Sequence, residues 1–208
     1  MKVQQTSSIK VLIAATVGMA FSLPAVTVAS FTVLMLPLTR AFGWERGEVS
    51  LAMTIVNIAT IVMYPTVGWL IDRVGLRKVL IPSVILYGVI LASHSLLSGQ
   101  LWQFYVGYAL LAVGGAGAAA VSYIRLLVSW FTDKRGLALG TALAGMGVSV
   151  ALLPMLAQSI VDIASWRMAY VVLGLLSILA VLPLVVAWAW YPDQQSSRSA
   201  ALGIENHS

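Results

Sequence analysis

Six long apolar runs, separated by short polar segments, limit what this 208-residue sequence can fold into. Each run has about 20 residues or more, the length that an α-helix needs to cross the hydrocarbon core of a bilayer. We therefore expect an all-α integral membrane protein with six transmembrane helices in contact with the lipid bilayer. The runs cover residues 11–36, 49–71, 79–97, 102–130, 137–160 and 168–191.

The composition agrees with a membrane protein and excludes several functions. Only 9% of the residues are charged, against roughly 25% in soluble domains. The absence of cysteine excludes disulfides, thiolate metal sites and cysteine nucleophiles. The two histidines, His94 and His207, are far apart in sequence, so we expect no metal site and no cofactor. The basic residues are too dispersed to form a nucleic-acid-binding patch.

The distribution of Lys and Arg predicts the orientation in the membrane. The first apolar run is too long for the core of a signal peptide, so we expect an uncleaved helix. We divide the chain into an N-terminus at 1–10, a transmembrane bundle at 11–191, and a polar tail or linker at 192–208. With this division, one side carries eight Lys and Arg residues and the other carries three. The positive-inside rule then predicts cytoplasmic termini in the cell (inner) membrane.

The segment between the second and third runs is a tight, basic turn with a fixed order of residues. It reads Gly68-x-x-x-Asp72-Arg73-x-Gly75-x-Arg77-Lys78. Asp72 is expected at the end of one helix, and Gly75 permits a positive φ in the turn. Arg77 and Lys78 begin the next helix and can return toward Asp72. A simpler interpretation is a positive-inside loop that only fixes the topology.

Arg125 is the basic residue that lies well inside an apolar run. Charges within a membrane are costly and usually face protein or water. One interpretation is that Arg125 extends its side chain to the cytoplasmic headgroups. The other is a buried base paired with an acid, for which Asp72 is the best candidate.

Uncharged polar residues and glycines provide further candidates within the runs. Pro24 is expected to kink the first helix. Polar residues either bond to their own helix backbone or line a cavity; the candidates are Ser22, Thr27, Ser30, Asn57 and Tyr123. Small residues let helices approach closely, and the fourth run contains Gly114, Gly115 and Gly117.

The 68–78 segment resembles the loop between helices 2 and 3 of major facilitator superfamily transporters. The resemblance implies a conformational latch in which Asp72 pairs with nearby basic groups. It also implies a packing role for Gly68, a charge network of Arg73, Arg77 and Lys78, and a structural or coupling role for Arg125. That family has two six-helix bundles, so the chain resembles an N-terminal half built as a 3+3 inverted repeat. Asp162 and Arg167 repeat the spacing of Asp72 and Arg77.

Two further segments resemble the monocarboxylate transporters and oxalate–formate antiporters. They are Phe42-Gly43-Trp44-Glu45-Arg46-Gly47-Glu48-Val49-Ser50, with Glu45 where serine is commoner, and the region after Trp130-Phe131. The resemblance implies secondary active transport of a small organic anion by proton symport or anion exchange. The partner would be a missing C-terminal six-helix half or a second copy. Helix-packing glycines of this resemblance are Gly136, Gly140, Gly145 and Gly147.

Two other classes of function remain as alternatives. The chain could be a six-helix membrane interaction protein that does not transport, or an inactive truncated fragment of a transporter. A membrane-embedded enzyme is disfavoured, because no pair of acids, His pair or Ser–His constellation converges on one helix face.

Overall fold

The computed structural model describes residues 2–131 and 134–188, and in this part of the chain every regular element is a helix. Six of its helical segments are long and apolar enough to span a membrane, as the sequence predicts. The helices are α1 (Lys2–Ala20), α2 (Leu23–Phe42), α3 (Arg46–Val74), α4 (Leu76–Ser93), α5 (Leu101–Gly115), α6 (Ala120–Trp130), α7 (Arg135–Ile163) and α8 (Trp166–Trp188).

The first and fourth spans are each divided into two helices near their middle. The first span consists of α1 and α2, and the fourth consists of α5 and α6. Pro24 lies in the first turn of α2, where a proline is tolerated because its missing N–H would be unpaired anyway. In the fourth span, the 3₁₀ turn Ala116–Ala118 follows Gly115, because glycine is a poor helix former. The kink that was expected in the first helix is therefore a break between α1 and α2. The fourth helix, which was expected to be continuous, is interrupted by the 3₁₀ turn between α5 and α6.

Several helices extend beyond the apolar runs. α2 continues to Phe42 and α3 begins at Arg46, so the gap of residues 37–48 between the first two apolar runs is reduced to a loop of residues 43–45. Gly43 ends α2 with φ 71° and donates its N–H to the Thr39 carbonyl at 3.0 Å. The helix α1 begins at Lys2 and includes most of the expected N-terminal segment. The added helical turns contain polar residues, so hydropathy alone does not detect them.

Among the described helices, α4 and α8 make the closest contact. A Cβ atom on Gly174 of α8 would clash with the carbonyl oxygen of Gly88 and would lie 2.9 Å from the backbone nitrogen of Ala92. Both neighbours are backbone atoms of α4, so no side chain can move to make room. These two glycines therefore allow the axes of α4 and α8 to approach closely.

The core has two clusters, one toward each end of the bundle. The cluster beside the 68–78 loop contains Met19, Leu80 and Tyr123. The cluster at the other end contains Phe104, Tyr108 and Tyr170. We call these the loop end and the opposite end. The charged loop and the aromatic cluster are thus separated by most of the length of the bundle.

The helices α3 and α7 expose wide apolar faces. Ile61 and Val62 of α3 are 72% and 64% exposed, and Met155 of α7 is 67% exposed. Such faces are stable only in contact with lipid or with another apolar surface.

Candidate functional site: the charged loop and a cavity near the first helix break

A single residue, Gly75, forms the turn between α3 and α4. Its φ is 91° and its ψ is 150°, and its N–H donates to the Ile71 carbonyl at 2.9 Å. Nothing lies within 4 Å of the position that a Cβ would occupy. Glycine is therefore required here for its backbone conformation and not for space.

Arg125 contacts Asp72, as one of the two interpretations of the sequence predicted. Its Nη1 lies 2.6 Å from Asp72 Oδ1 and also donates to the Gly68 carbonyl at 3.2 Å. The side chains of Arg125 and Asp72 are 36% and 67% exposed, respectively. The arginine is therefore paired, but the pair lies at the surface of the bundle and is not buried.

Gly68 provides room for the arginine side chain. A Cβ at this position would lie 3.2 Å from Arg125 Nη2, which is the nearest atom. Because that atom is the end of a long side chain, Gly68 serves the ion pair more than the close packing of a neighbouring helix.

The other basic residues of the loop contact groups other than Asp72. The guanidinium of Arg73 lies 4.2 Å from the centre of the Trp69 ring, where a cation–π interaction forms. Arg77 Nη2 donates to the Val186 carbonyl of α8 at 2.6 Å. Lys78 is exposed. Within the described residues, the carboxylate of Asp72 is thus paired with Arg125 alone.

Arg77 and Arg167 make equivalent contacts at the two ends of the α4–α8 pair. Arg77, at the start of α4, bonds to the carbonyl of Val186 near the end of α8. Arg167, at the start of α8, donates its Nη2 to the Leu97 carbonyl just beyond α4, at 3.1 Å. This reciprocal arrangement agrees with the spacing shared by Asp72/Arg77 and Asp162/Arg167 and with a 3+3 inverted repeat. Asp162 differs from Asp72, because it accepts from Gln158 at 2.7 Å.

A cavity of about 60 Å³ lies beside the first turn of α2. Of the predicted polar residues, Thr27 and Asn57 line it, and Tyr64 of α3 joins them. The first amide groups of a helix lack intrahelical acceptors; here Pro24 has no N–H and the N–H of Ser22 donates to the Met19 carbonyl, so the turn offers the amides of Leu23 and Ala25 as donors. Among the described residues, no charged side chain lines the cavity, whose lining also includes Leu23, Pro24, Val28, Met53, Val56 and Thr60.

The remaining predicted polar residues are buried outside this cavity. Ser30 donates to the Thr27 carbonyl at 3.0 Å. Of the two interpretations of the polar residues, bonding to the backbone of their own helix therefore applies to Ser30. Ser22 is fully buried at the break between α1 and α2. Tyr123 is 1% exposed, and its ring occupies the space that a Cβ on Gly18 would need.

The predicted packing glycines fall into two groups. Gly114, Gly115, Gly117 and Gly145 face other helices, with neighbouring atoms that a Cβ would touch or displace. Gly136, Gly140 and Gly147 of α7 have no described atom within 4 Å of a Cβ position. A packing role for these three requires a partner surface outside the described chain.

The sequence reasoning missed three residues that the structure brings into tight contacts. Gly88 and Gly174 hold the closest helix contact, and their signal was an isolated glycine inside each of two apolar runs. His94 was considered only as a metal ligand, yet it is 2% exposed in the aromatic cluster of the opposite end.

Comparison with known proteins agrees with this architecture. A family model described as Major Facilitator Superfamily matches residues 11–206. An uncharacterized MFS-type transporter, YcxA, of Bacillus subtilis is 29% identical over 82% of this chain and 42% of its own length. The oxalate:formate antiporter of Oxalobacter formigenes is 28% identical over 81% of this chain and 40% of its own length. Monocarboxylate transporter 11 of Homo sapiens is 33% identical over 58% of this chain and 28% of its own length.

These matches extend over most of the chain, whereas the chain spans only 42% and 40% of the two bacterial relatives. The family match includes all six membrane-spanning segments, the charged loop and Arg125. The chain is a multi-pass membrane protein that belongs to the Major Facilitator Superfamily.

Proposed function

We propose that this chain forms the N-terminal half of a secondary transporter for small organic anions, which works by proton symport or anion exchange. The observation that carries the proposal is the cavity beside the first turn of α2, lined by Thr27, Asn57 and Tyr64. Similarity to an oxalate:formate antiporter over 81% of the chain supports the class of substrate.

The cavity suits one end of a carboxylate. Half-helix N-termini near the bilayer midplane favour anionic groups, because their free amides point at the ligand and their dipole is positive. The hydroxyl and amide groups of Thr27, Asn57 and Tyr64 add donors on α2 and α3. The described lining of this cavity contains no cation, so the charge of the anion requires a second partner. We propose that a C-terminal six-helix half or a second copy supplies it.

The charged loop would regulate the conformation of such a transporter. Asp72 and Arg125 connect α3 to α6 at the loop end, and the proposed orientation places this end and both termini in the cytoplasm. A surface ion pair contributes little energy, which suits a contact that forms and breaks in each transport cycle.

Reconstituted uptake tests the proposal. We expect proteoliposomes containing the chain alone to take up no labelled oxalate, formate or lactate, because half of the binding site is missing. Adding a C-terminal six-helix half from the same genome should give saturable uptake or exchange. The variant Asn57→Ala should then weaken uptake, whereas Gln158→Ala, on the exposed end of α7, should leave it unchanged. Saturable uptake by the chain alone would instead indicate a homodimeric carrier.

The exposed apolar faces favour a second candidate, a six-helix membrane protein that associates without transporting. Ile61, Val62 and Met155 lie on such faces. If the chain binds the C-terminal half firmly and the complex transports none of the three anions, the second candidate replaces the first.

A further inference from the structure

His94 is a buried histidine with one unsatisfied nitrogen. It begins the 3₁₀ turn His94–Leu96 that follows α4, and it is 2% exposed. Its Nδ1 lies 2.7 Å from the Ile90 carbonyl, and since a carbonyl only accepts, Nδ1 carries the proton. Its Nε2 is buried with no hydrogen-bond partner among the described residues. Gly107 covers this nitrogen, because a Cβ there would lie 2.7 Å from Nε2.

The side chains around the His94 ring are compatible with a neutral imidazole. The ring stacks on Tyr170 of α8, with centroids 5.2 Å apart, and meets Tyr108 and Phe104 of α5 edge-on. Tyr108 and Tyr170 are the titratable groups that face it. A cation near this turn is that of Arg167, which bonds to the carbonyl of Leu97, three residues after His94. Within the described chain, no carboxylate pairs with the ring.

We propose that His94 is a proton-sensitive switch that controls the α4–α8 contact at the opposite end of the bundle. Protonation converts Nε2 from an acceptor into a charged donor, and among the described residues this nitrogen has no hydrogen-bond partner. Stacking on Tyr170 stabilises a cation in part, but it does not satisfy the buried N–H. The imidazolium therefore leaves the aromatic cluster.

The structure contains a place for the displaced ring. A cavity of about 190 Å³ adjoins His94 and is lined by Ser93, Leu96, Leu97, Gln103 and Gly107. Movement into it opens the 3₁₀ turn, which is closed by the bond from the Leu97 N–H to the His94 carbonyl at 3.3 Å. Leu97 then leaves Arg167, and the contact between α4 and α8 opens at this end. The equivalent contact of Arg77 with Val186 at the loop end involves no histidine and serves as an internal comparison.

Cysteine accessibility tests the switch, because the native chain has no cysteine. The reporter is Leu97→Cys, at a position that is 6% exposed, and the matched reference is Leu96→Cys, at a position that is 81% exposed. Each 208-residue variant is placed in lipid nanodiscs and labelled with a maleimide. The ratio of the two rates removes the effect of pH on thiol reactivity. We expect this ratio to rise about tenfold as the pH is lowered from about 7.5 to about 4.5, a range that extends below the one in which an unperturbed histidine titrates.

Two further variants separate the switch from a general loosening of the bundle. His94→Phe keeps an aromatic ring against Tyr170 and removes the titration, so the ratio should be low and independent of pH. Gly107→Ala displaces the ring, so the ratio should be high at both pH values. A native chain whose ratio does not change with pH overturns the proposal. So does a His94→Phe chain that keeps the pH response, or a Gly107→Ala chain that stays protected.

Discussion

At the scale of single residues, the ion pair between Asp72 and Arg125 shows how exposure decides the energy of a contact. The 2.6 Å distance is short, yet the aspartate is 67% exposed and solvent screens the attraction. A buried pair broken by one substitution would lose about 3–5 kcal/mol, whereas exposed pairs contribute about 0.2–1 kcal/mol. The geometry favours the smaller value.

The first prediction concerns this pair. Asp72→Asn and Arg125→Gln should each lower the free energy of unfolding by less than about 1 kcal/mol. Their effects should not add, because either change removes the same contact. The measurement is a double-mutant cycle by equilibrium unfolding in mixed micelles, repeated at high salt, where the coupling should shrink.

The control for that cycle is Arg73→Gln combined with Asp72→Asn. Arg73 contacts the Trp69 ring instead of Asp72, so these two effects should add within about 0.5 kcal/mol. Single substitutions at Asp72 or Arg125 that cost about 3 kcal/mol or more would show that the pair is buried in the folded protein.

At the scale of helices, glycines of similar appearance in the sequence have opposite surroundings. Gly174 faces the backbone of α4, whereas Gly140 of α7 has no described atom within 4 Å of a Cβ position. A methyl group therefore has no space at one position and open space at the other.

The second prediction compares these two glycines. Gly174→Ala should destabilise the bundle by about 1–3 kcal/mol, because α4 and α8 must separate to accommodate the methyl group. Gly140→Ala should stabilise the chain by about 0.5–1 kcal/mol, because alanine is the better helix former. Equilibrium unfolding of both variants in the same detergent checks the difference. Equal effects would mean that the close contact of α4 with α8 is absent.

The third prediction concerns the turn between α3 and α4. Gly75 has a φ of 91°, a ψ of 150° and open space around its Cβ position, so Gly75→Ala should cost about 1–3 kcal/mol through backbone strain alone. Gly47→Ala is the control, because Gly47 also has open space but lies within α3, where alanine is favoured. A Gly75→Ala variant as stable as the native chain would contradict the positive φ.

The sequence predicted the spans well because apolar length has one dominant cause, the thickness of a bilayer. It also predicted the Gly75 turn and the partner of Arg125, since few acids were available to pair with that base. The closest helix contact was not predicted, because whether Gly88 faces Gly174 depends on how α4 and α8 are rotated. Nor does hydropathy distinguish Gly136, Gly140 and Gly147 of α7, which have open space, from the packed glycines, which are Gly145 of the same helix and those of the fourth span.

At the scale of the whole molecule, the described chain is a bundle of six membrane spans, with backbone contacts of Arg77 and Arg167 at its two ends and exposed apolar faces on its sides. Arg77 and Arg167 join α4 and α8 at both ends, so the contact between these two helices is held at each of its ends. The helices α3 and α7 have apolar side chains that face away from it, such as Ile61 and Met155. In an inverted repeat, the two ends of the bundle have similar backbone structures. The distribution of charge therefore decides which end faces the cytoplasm.

The last prediction is this orientation. Eight Lys and Arg residues on the loop end and its termini, against three on the other side, should place the loop end in the cytoplasm. Because the native chain has no cysteine, two single-cysteine variants report each end: Val74→Cys beside the 68–78 loop and Ser98→Cys beyond α4, both at exposed positions. In intact cells, a membrane-impermeant maleimide should label Ser98→Cys and should reach Val74→Cys only after the membrane is permeabilised. The unmodified chain is the control and should stay unlabelled in both conditions. Labelling of Val74→Cys in intact cells, with Ser98→Cys protected, would reverse the topology, and the role proposed for Asp72 and Arg125 would then belong to the outer face.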